Sequence, residues 1–297
     1  MLADRRFDFA RYLQLSGDLV AAEDLFVQAT DLAPGFATAW FTLGEVRELL
    51  GDRTGAIAAF RAAETTDPGD RNGAGLRLMR LGAADLAAMR PTYVTALFDQ
   101  YAPRFDVALV DDLGYRGPAL LLAAVLGARG EAGGPVQFPR VIDLGCGTGL
   151  AARAFAPVAG KIIGIDLSPR MVERARASGL YAELDVAEIA DGLRRQADAS
   201  ADLILAADVM VYVHDMMPLL AEVARVLTPG GLFAFTVESH AGEGVVLGQG
   251  LRYAYTANRV RALVAEAGLS LDLLEQASSR TESGAQVPGL VAVAAKR

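Results

Sequence analysis

The feature that most constrains this 297-residue chain is residues 141 to 149, Val-Ile-Asp-Leu-Gly-Cys-Gly-Thr-Gly. A short apolar run carrying one acid and ending in alternating glycines predicts a strand that turns sharply. Its backbone can approach a ligand closely, because glycine has no Cβ to collide with it. The segment Leu150 to Phe155 predicts a helix whose N-terminus points at that ligand. Twenty-three positions after Asp143, a second apolar strand, Ile162-Ile163-Gly164-Ile165, ends on Asp166, where an acid can accept both hydroxyls of a ribose. A dinucleotide loop reads G-x-G-x-x-G/A, but Leu150 fills the third position, which counts against a nicotinamide oxidoreductase.

From Arg140 onward, short apolar strands alternate with helical segments, the mark of an open, mostly parallel α/β sheet. The candidates are Val141 to Leu144, Lys161 to Asp166, Ala182 to Val186, Leu203 to Ala207, Leu232 to Val237, Leu269 to Glu275 and Leu290 to Ala295. Seven strands are expected.

The N-terminal part is of another kind. A shift of 34 residues aligns Gly17-Asp18 with Gly51-Asp52, Ala22 with Ala56, Phe26 with Phe60, Ala29 with Ala63 and Pro34-Gly35 with Pro68-Gly69. With Trp40, Leu43 and Gly44 in the second copy, this resembles the tetratricopeptide repeat in period and pattern. The first copy has Arg6, Phe9 and Ala10 at those positions and resembles an atypical capping repeat. The period fades over Gly75 to Leu86, and an aromatic segment, Tyr93 to Phe105, follows; Pro103 is expected to interrupt its helix. Helices are expected from Asp106 to Leu126, then a glycine-rich break from Gly127 to Pro135. The expected domains are a repeat-like helical domain over 1–90, lid and connecting helices over 91–139, and a cofactor-binding domain over 140–297.

Lys and Arg number 28 against 36 Asp and Glu, a net charge of −8, so the basic footprint of a nucleic-acid binder is missing. One cysteine, Cys146, and two histidines, His214 and His240, cannot build a disulfide framework or a three-ligand zinc site from Cys and His alone. No metal is expected. The opening residues lack the apolar stretch of a signal peptide, and no window reaches the length of a spanning helix, so no membrane association and a cytoplasmic location are expected.

Residues 140 to 297 resemble the class I, seven-stranded Rossmann-like S-adenosylmethionine-dependent methyltransferases. The resemblance implies that S-adenosyl-L-methionine is the cofactor and S-adenosyl-L-homocysteine the product. It implies that Asp143 lies near the methionine amino group and that Gly145, Cys146, Gly147, Thr148 and Gly149 line the methionine and ribose. Asp166, with Leu167 beside it, would hold the ribose, and Met171, in Ser168-Pro169-Arg170-Met171, would pack under the adenine. For the acid facing the adenine amino group two candidates stand, Asp185 and Glu188, of which Glu188 is preferred because the strand should already have ended there. Ala207 ends the fourth strand at the cofactor edge. Leu97 to Asp106 resembles the lid helix that precedes many small-molecule methyltransferase cores, with Tyr101 closing over the methionine end. Nearly the whole chain resembles a group of predicted bacterial methyltransferases with N-terminal tetratricopeptide repeats, a resemblance that implies no particular substrate.

A methyl on a sulfonium needs no protein acid to expel its leaving group, and a base is needed only for a protonated nucleophile. Candidate bases are His240, Tyr212 and His214, where Tyr212 takes the place of a histidine often found after the fourth strand. Tyr253 and Tyr255 follow a glycine-rich run, Gly242 to Gly250, read as a flap, and are expected near substrate. Asp208-Val209-Met210-Val211 stands where an Asn/Asp-Pro-Pro-Tyr tetrapeptide would mark base or amide N-methylation. A small-molecule acceptor methylated at oxygen or carbon is therefore expected, with the repeats docking a protein partner or a second copy. The competing readings are a cofactor-sensing interaction protein and a protein methyltransferase that binds a polypeptide through the repeats.

Overall fold

The 34-residue sequence repeat is also a structural one in the computed structural model, which describes residues 1–106, 109, 113–130 and 136–297. Helices α1 (Leu2–Ser16) and α2 (Leu19–Leu32) form one hairpin, and α3 (Ala37–Leu49) and α4 (Arg53–Thr66) the next. Each first helix stops on a left-handed glycine, Gly17 at φ 88° and Gly51 at φ 82°, a conformation glycine adopts without steric penalty. The following aspartate then caps the second helix: Asp18 accepts from the Ala21 amide and Asp52 from the Gly55 amide. The repeated residues Ala22, Phe26, Ala29 and their partners Ala56, Phe60, Ala63 are the buried ones, so the period in the sequence marks the packed helix faces. A short α5 (Ala74–Arg80) adds Arg77, which pairs with Glu45 and Glu48 of α3.

These helices belong to a unit spanning Met1–Tyr93; a second spans Val94–Arg297, and the boundary falls within α6 (Pro91–Tyr101). As Pro103 predicts, α6 gives way to a 3₁₀ turn at Ala102–Arg104. Of the helices expected between Asp106 and Leu126, residues 107–108 and 110–112 lie outside the described residues, and α7 occupies Gly117–Gly130. The expected break at Gly127 is thus corrected: three apolar turns carry the helix through Gly127, and residues 131–135 of the expected break lie outside the described ones.

The α/β part runs β1 (Phe138–Leu144), α8 (Leu150–Phe155), β2 (Ala159–Asp166), α9 (Pro169–Ala177), β3 (Glu183–Val186), α10 (Ile189–Arg194), β4 (Ala201–Ala206), α11 (Met217–Val226) and β5 (Leu227–Ser239). It continues with β6 (Val245–Leu247), β7 (Tyr253–Tyr255), α12 (Ala257–Glu266), β8 (Ser270–Gln276), a small ribbon of β9 (Thr281–Glu282) and β10 (Ala285–Gln286), and β11 (Gly289–Ala295). The main sheet has the order β3-β2-β1-β4-β5-β11-β8, with β11 antiparallel to both neighbours. All seven expected strands are present in it. β1 pairs with β2 on one side and β4 on the other, so the order reverses at β1, where a crevice opens at the carboxyl ends of an α/β sheet. One face of the sheet packs Val141, Leu203, Leu205, Ala234 and Val293 against α7 and α8. Among the described residues no helix is long and apolar enough to cross a membrane.

Candidate active site

The glycine loop sits at that reversal. Gly145, Gly147 and Gly149 all have left-handed φ values, 60°, 53° and 100°, and a Cβ at 145 would run into Val209 of the segment after β4. The loop is tied to the second strand by Asp166, whose Oδ2 accepts from the Gly147 amide at 2.9 Å and whose Oδ1 accepts from the Ser168 amide at 2.8 Å. Burial pushes the Asp166 carboxyl up, and these amides pull it back. These two amides do not exhaust the acceptor positions of the carboxylate, so the acid fits a partner offering a hydroxyl donor.

Asp143 lies beneath the loop, 1% exposed, and its Oδ2 accepts from Tyr181 Oη at 2.6 Å. Burial raises its pKa to about 7, against the hydrogen bond from Tyr181. Burial, with Asp143 and Asp166 nearby, also pushes the Cys146 thiol well up, which makes this cysteine a small apolar filler rather than a nucleophile. Met171 is fully buried behind Ser168, which caps α9 by accepting from the Met171 amide.

The segment before the core is strapped across these loops. Ser168 Oγ donates to Asp99 Oδ1 at 2.5 Å, Arg174 Nη2 donates to the Pro103 carbonyl at 3.0 Å, and Thr148 Oγ1 donates to Asp106 Oδ1 at 2.5 Å. Phe105 lies in van der Waals reach of position 147. Phe98 packs edge-on against both Phe105 and Tyr212.

On the other side of the loop lies a half-buried charged cluster centred on the buried Arg280. Asp208 follows β4 with φ 55°, a left-handed conformation uncommon outside glycine. It is held by Thr236 Oγ1 on Oδ1 at 2.8 Å, and by Ser279 Oγ at 2.9 Å and Arg280 Nη1 at 2.8 Å on Oδ2. Arg280, 5% exposed, also donates through Nη2 to Glu238 and through Nε to Glu282. Arg252 donates Nε to Glu238 at 2.5 Å and pairs through Nη2 with Glu282. Burial works against the Arg280 charge, but Asp208 and Glu238 outweigh it and hold the guanidinium protonated above its usual range. Tyr115 belongs to the same cluster: burial, then the charges of Asp208 and Asp143, push its phenol well up while Arg280 opposes them. Leu113 and Arg116, on either side of it, bond the 278–281 segment.

Several expected site residues are placed elsewhere. Tyr253 and Tyr255 are fully buried, and Tyr255 Oη donates to the Val213 carbonyl. The run read as a flap forms the hairpin of β6 and β7, with β7 pairing with the end of β5, and the two rings are buried against the Val213–His214 segment. Tyr101 is corrected too: it is 38% exposed under the Arg104 guanidinium, and the aromatic turned to the loop is Phe105, backed by Phe98. His240 accepts from the Gly242 amide at Nδ1, which leaves Nε2–H for the Gly244 carbonyl at 3.3 Å. Both ring nitrogens are spent on its own turn, beside a cavity of about 580 Å³ that Gln276, Ser278 and Gln286 also line. His214 packs its ring on Tyr253. Of the three candidate bases, only Tyr212 stands beside both the strap and the charged cluster. Glu188 caps α10, its Oε2 accepting from the Ala190 and Asp191 amides, while Asp185 pairs with Arg195. Leu167 and Ala207 are half-buried beside Asp166 and Asp208. Sequence reasoning missed Arg280, Glu238, Tyr115 and Tyr181 outright, and gave Asp208 no role although it stands directly after β4. No spacing rule joins these residues.

Residues 142–235 match the family model described as a methyltransferase domain. The chain is 32% identical over 102 residues to a ubiquinone biosynthesis O-methyltransferase of Xanthomonas oryzae pv. oryzae, covering 33% of this chain and 43% of that one. It is 36% identical over 113 residues to a dimethylglycine N-methyltransferase of Parasynechococcus marenigrum, covering 36% and 40%. The chain thus spans about two fifths of the length of these curated relatives. Among solved structures, the 1,6-didemethyltoxoflavin-N1-methyltransferase of Burkholderia thailandensis, with bound 1,6-didemethyltoxoflavin and S-adenosylhomocysteine, matches at TM-score 0.53 and 18% identity, over 72% of this chain and 93% of that one. The sheet is that of the Rossmann-like methyltransferases. The α/β unit thus has the fold of the Rossmann-like methyltransferases, and the stretch that matches the methyltransferase-domain model contains the glycine loop and Asp166.

Proposed function

We propose that the chain transfers the methyl group of S-adenosylmethionine to a small-molecule acceptor by in-line displacement. The observation that carries this reading is the pairing of a glycine loop locked to Asp166 with a half-buried polar cluster at Asp208 on the other side of Gly145. The loop residues 145–149, Asp166 and Met171 would hold the cofactor, with Asp143 near its methionine end. The cofactor supplies a methyl already activated by the sulfonium charge, so the protein's task is alignment and exclusion of water. The Asp99–Asp106 strap serves exclusion. The cluster at Asp208, with Tyr212 and Tyr115, serves alignment of the acceptor. One relative is named for oxygen and one for nitrogen. Oxygen or carbon remains the reading from this chain, because Asp208-Val209-Met210-Val211 replaces the tetrapeptide of base and amide methylation.

Calorimetric titration with S-adenosylhomocysteine tests the reading. Micromolar-range binding that is lost in Asp166→Ala is expected, together with formation of S-adenosylhomocysteine when the protein is given S-adenosylmethionine and a metabolite extract. A cofactor-sensing protein would bind and never turn over, and absence of binding by the intact chain would remove the proposal.

We also read the N-terminal hairpins as tetratricopeptide-like repeats that dock a protein partner or a second copy. Leu2, Phe9, Tyr12, Leu15 and Val20 support this, since they leave large apolar side chains exposed on the first hairpin, where a terminal repeat usually turns a polar face to water. Light scattering of the wild type and of Tyr12→Asp would show self-association as a mass change between the two.

A further inference from the structure

The charges around Asp208 say more about the acceptor than the candidate bases do, and the inference deepens the methyl-transfer reading on which it rests. We propose that Asp208, Glu238, Arg252, Arg280 and Glu282 form the acceptor-facing wall of the site, and that this wall admits acceptors neutral or cationic at the reacting end and turns away carboxylates and phosphates.

Val209 is packed against Gly145 of the cofactor loop, and Tyr212, three residues further on, meets Phe98 of the strap. The wall therefore borders the loop on the side away from Asp166. Its members arrive from separate elements: Asp208 from the end of β4, Glu238 from the end of β5, Arg252 from the turn before β7, and Arg280 and Glu282 from the segment between β8 and β11.

Two guanidiniums face three carboxylates, so the cluster carries one negative charge in excess. An arginine recognises an anion through a free edge of its planar fork. Arg280 has no nitrogen left uncommitted: Nε, Nη1 and Nη2 each donate to a different carboxylate. Arg252 spends Nε and Nη2 in the same way. An incoming carboxylate would have to displace a buried ion-pair partner and then sit beside the displaced acid, and discrimination by such repulsion is as effective as added attraction. A hydroxyl or an amine meets no such barrier, because carboxylate oxygens accept its hydrogen. The aromatic rings of Phe98 and Tyr212 give it an apolar approach.

The test uses the full chain loaded with S-adenosylhomocysteine and three probes of one size and three charges: benzylamine, benzyl alcohol and benzoate. Saturation-transfer NMR titrations should show the amine and the alcohol binding at least tenfold more tightly than benzoate. Asp208→Asn and independently Glu238→Gln, each of which removes one carboxylate charge and leaves a neutral amide oxygen facing Arg280, should each raise benzoate affinity tenfold or more relative to benzylamine. Benzoate binding the wild type as well as benzylamine, an unchanged order in both variants, or no probe binding the loaded protein would overturn the inference. Cofactor loading is measured first by calorimetry. A protein that fails to load refutes methyl transfer itself, whereas a loaded protein with the wrong charge preference refutes only the wall.

Discussion

Arg280 and Asp208, 72 residues apart in sequence, meet at 2.8 Å between Nη1 and Oδ2, and through this contact the segment between β8 and β11 fixes the conformation of the turn after β4. Asp208 needs such holding, because left-handed backbone at a residue with a Cβ costs free energy that the surroundings must supply. Arg280→Met would leave Asp208 half-buried without its cation and Glu238 with Arg252 alone. A stability loss of about 3 kcal/mol is expected, the size typical of removing one partner of a buried pair, read from urea unfolding. Arg280→Lys, which keeps the charge but offers one point donor in place of a fork, should lose less. A loss below 1 kcal/mol for the Met variant would show that the network does not hold the turn.

The acid beneath the glycine loop sets a pH dependence. Folded, Asp143 keeps its proton up to about pH 7 because burial disfavours the carboxylate; unfolded, it releases the proton near pH 4. The folded chain therefore binds the extra proton in the window between, and the Asp143 contribution to stability falls as pH rises from about 4 to about 7, then levels off. Asp143→Asn cannot ionise and keeps an oxygen for the Tyr181 hydroxyl. Its melting temperature should gain on the wild type steadily between pH 5 and pH 7.5. Parallel melting curves across that range would contradict the assigned burial of this carboxyl.

The strap predicts a kinetic effect rather than a stability effect. Asp99 accepts from Ser168 Oγ, and Asp106 from Thr148 Oγ1, so each carboxylate joins the strap to a loop of the proposed cofactor site. Loss of one such charge-assisted bond is worth about 1.5 kcal/mol, roughly tenfold in dissociation rate if the bond must break for release. Asp99→Ala and Asp106→Ala should each speed S-adenosylhomocysteine release in stopped-flow measurements while leaving the melting temperature within two or three degrees. Unchanged release in both variants would mean that the strap opens independently of these bonds.

What the sequence revealed and what it hid follow from one physical difference. The seven strands, the loop at 145–149 and Asp166 were legible because each rests on local chemistry: apolar runs of strand length, glycines at left-handed positions, an acid closing a strand. The helical hairpins were legible because the same turn recurs after 34 residues. Arg280 and Glu238 were not, since their roles exist only where β5 and the β8–β11 segment meet, and nothing near either residue in sequence announces the other. Tyr253 and Tyr255 misled for the converse reason. A glycine-rich run followed by aromatics suggests a mobile flap, but register on β5 turned it into a hairpin and drew both rings into the core. His240 attracted notice as a rare titratable residue, and the Gly242 amide two residues on occupied its ring.

The two hairpins of the N-terminal unit offer a controlled comparison at one repeated position. Gly44 in α3 lies against Phe60 of α4, and a Cβ at 44 would stand 2.6 Å from the ring, well inside van der Waals contact. In the first copy the same position is Ala10, which is fully buried in the cluster that holds Phe26, the counterpart of Phe60. The first hairpin thus accommodates the methyl group that the second excludes. Phe60 cannot swing aside freely, because it is fully buried and packs against Phe41 with ring centroids 5.6 Å apart. Gly44→Ala should therefore destabilise the helical unit by about 2 kcal/mol, the overpacking cost, even though alanine is the better helix former by about 1 kcal/mol. Ala10→Gly should also destabilise, through a lost methyl contact and added backbone freedom. Circular dichroism melting reads both changes. S-adenosylhomocysteine affinity should stay at the wild-type value in each, because every residue assigned to the cofactor lies in the α/β unit. A stabilising Gly44→Ala would show that propensity outweighs the clash and that the α3–α4 approach is looser than the ring contact implies.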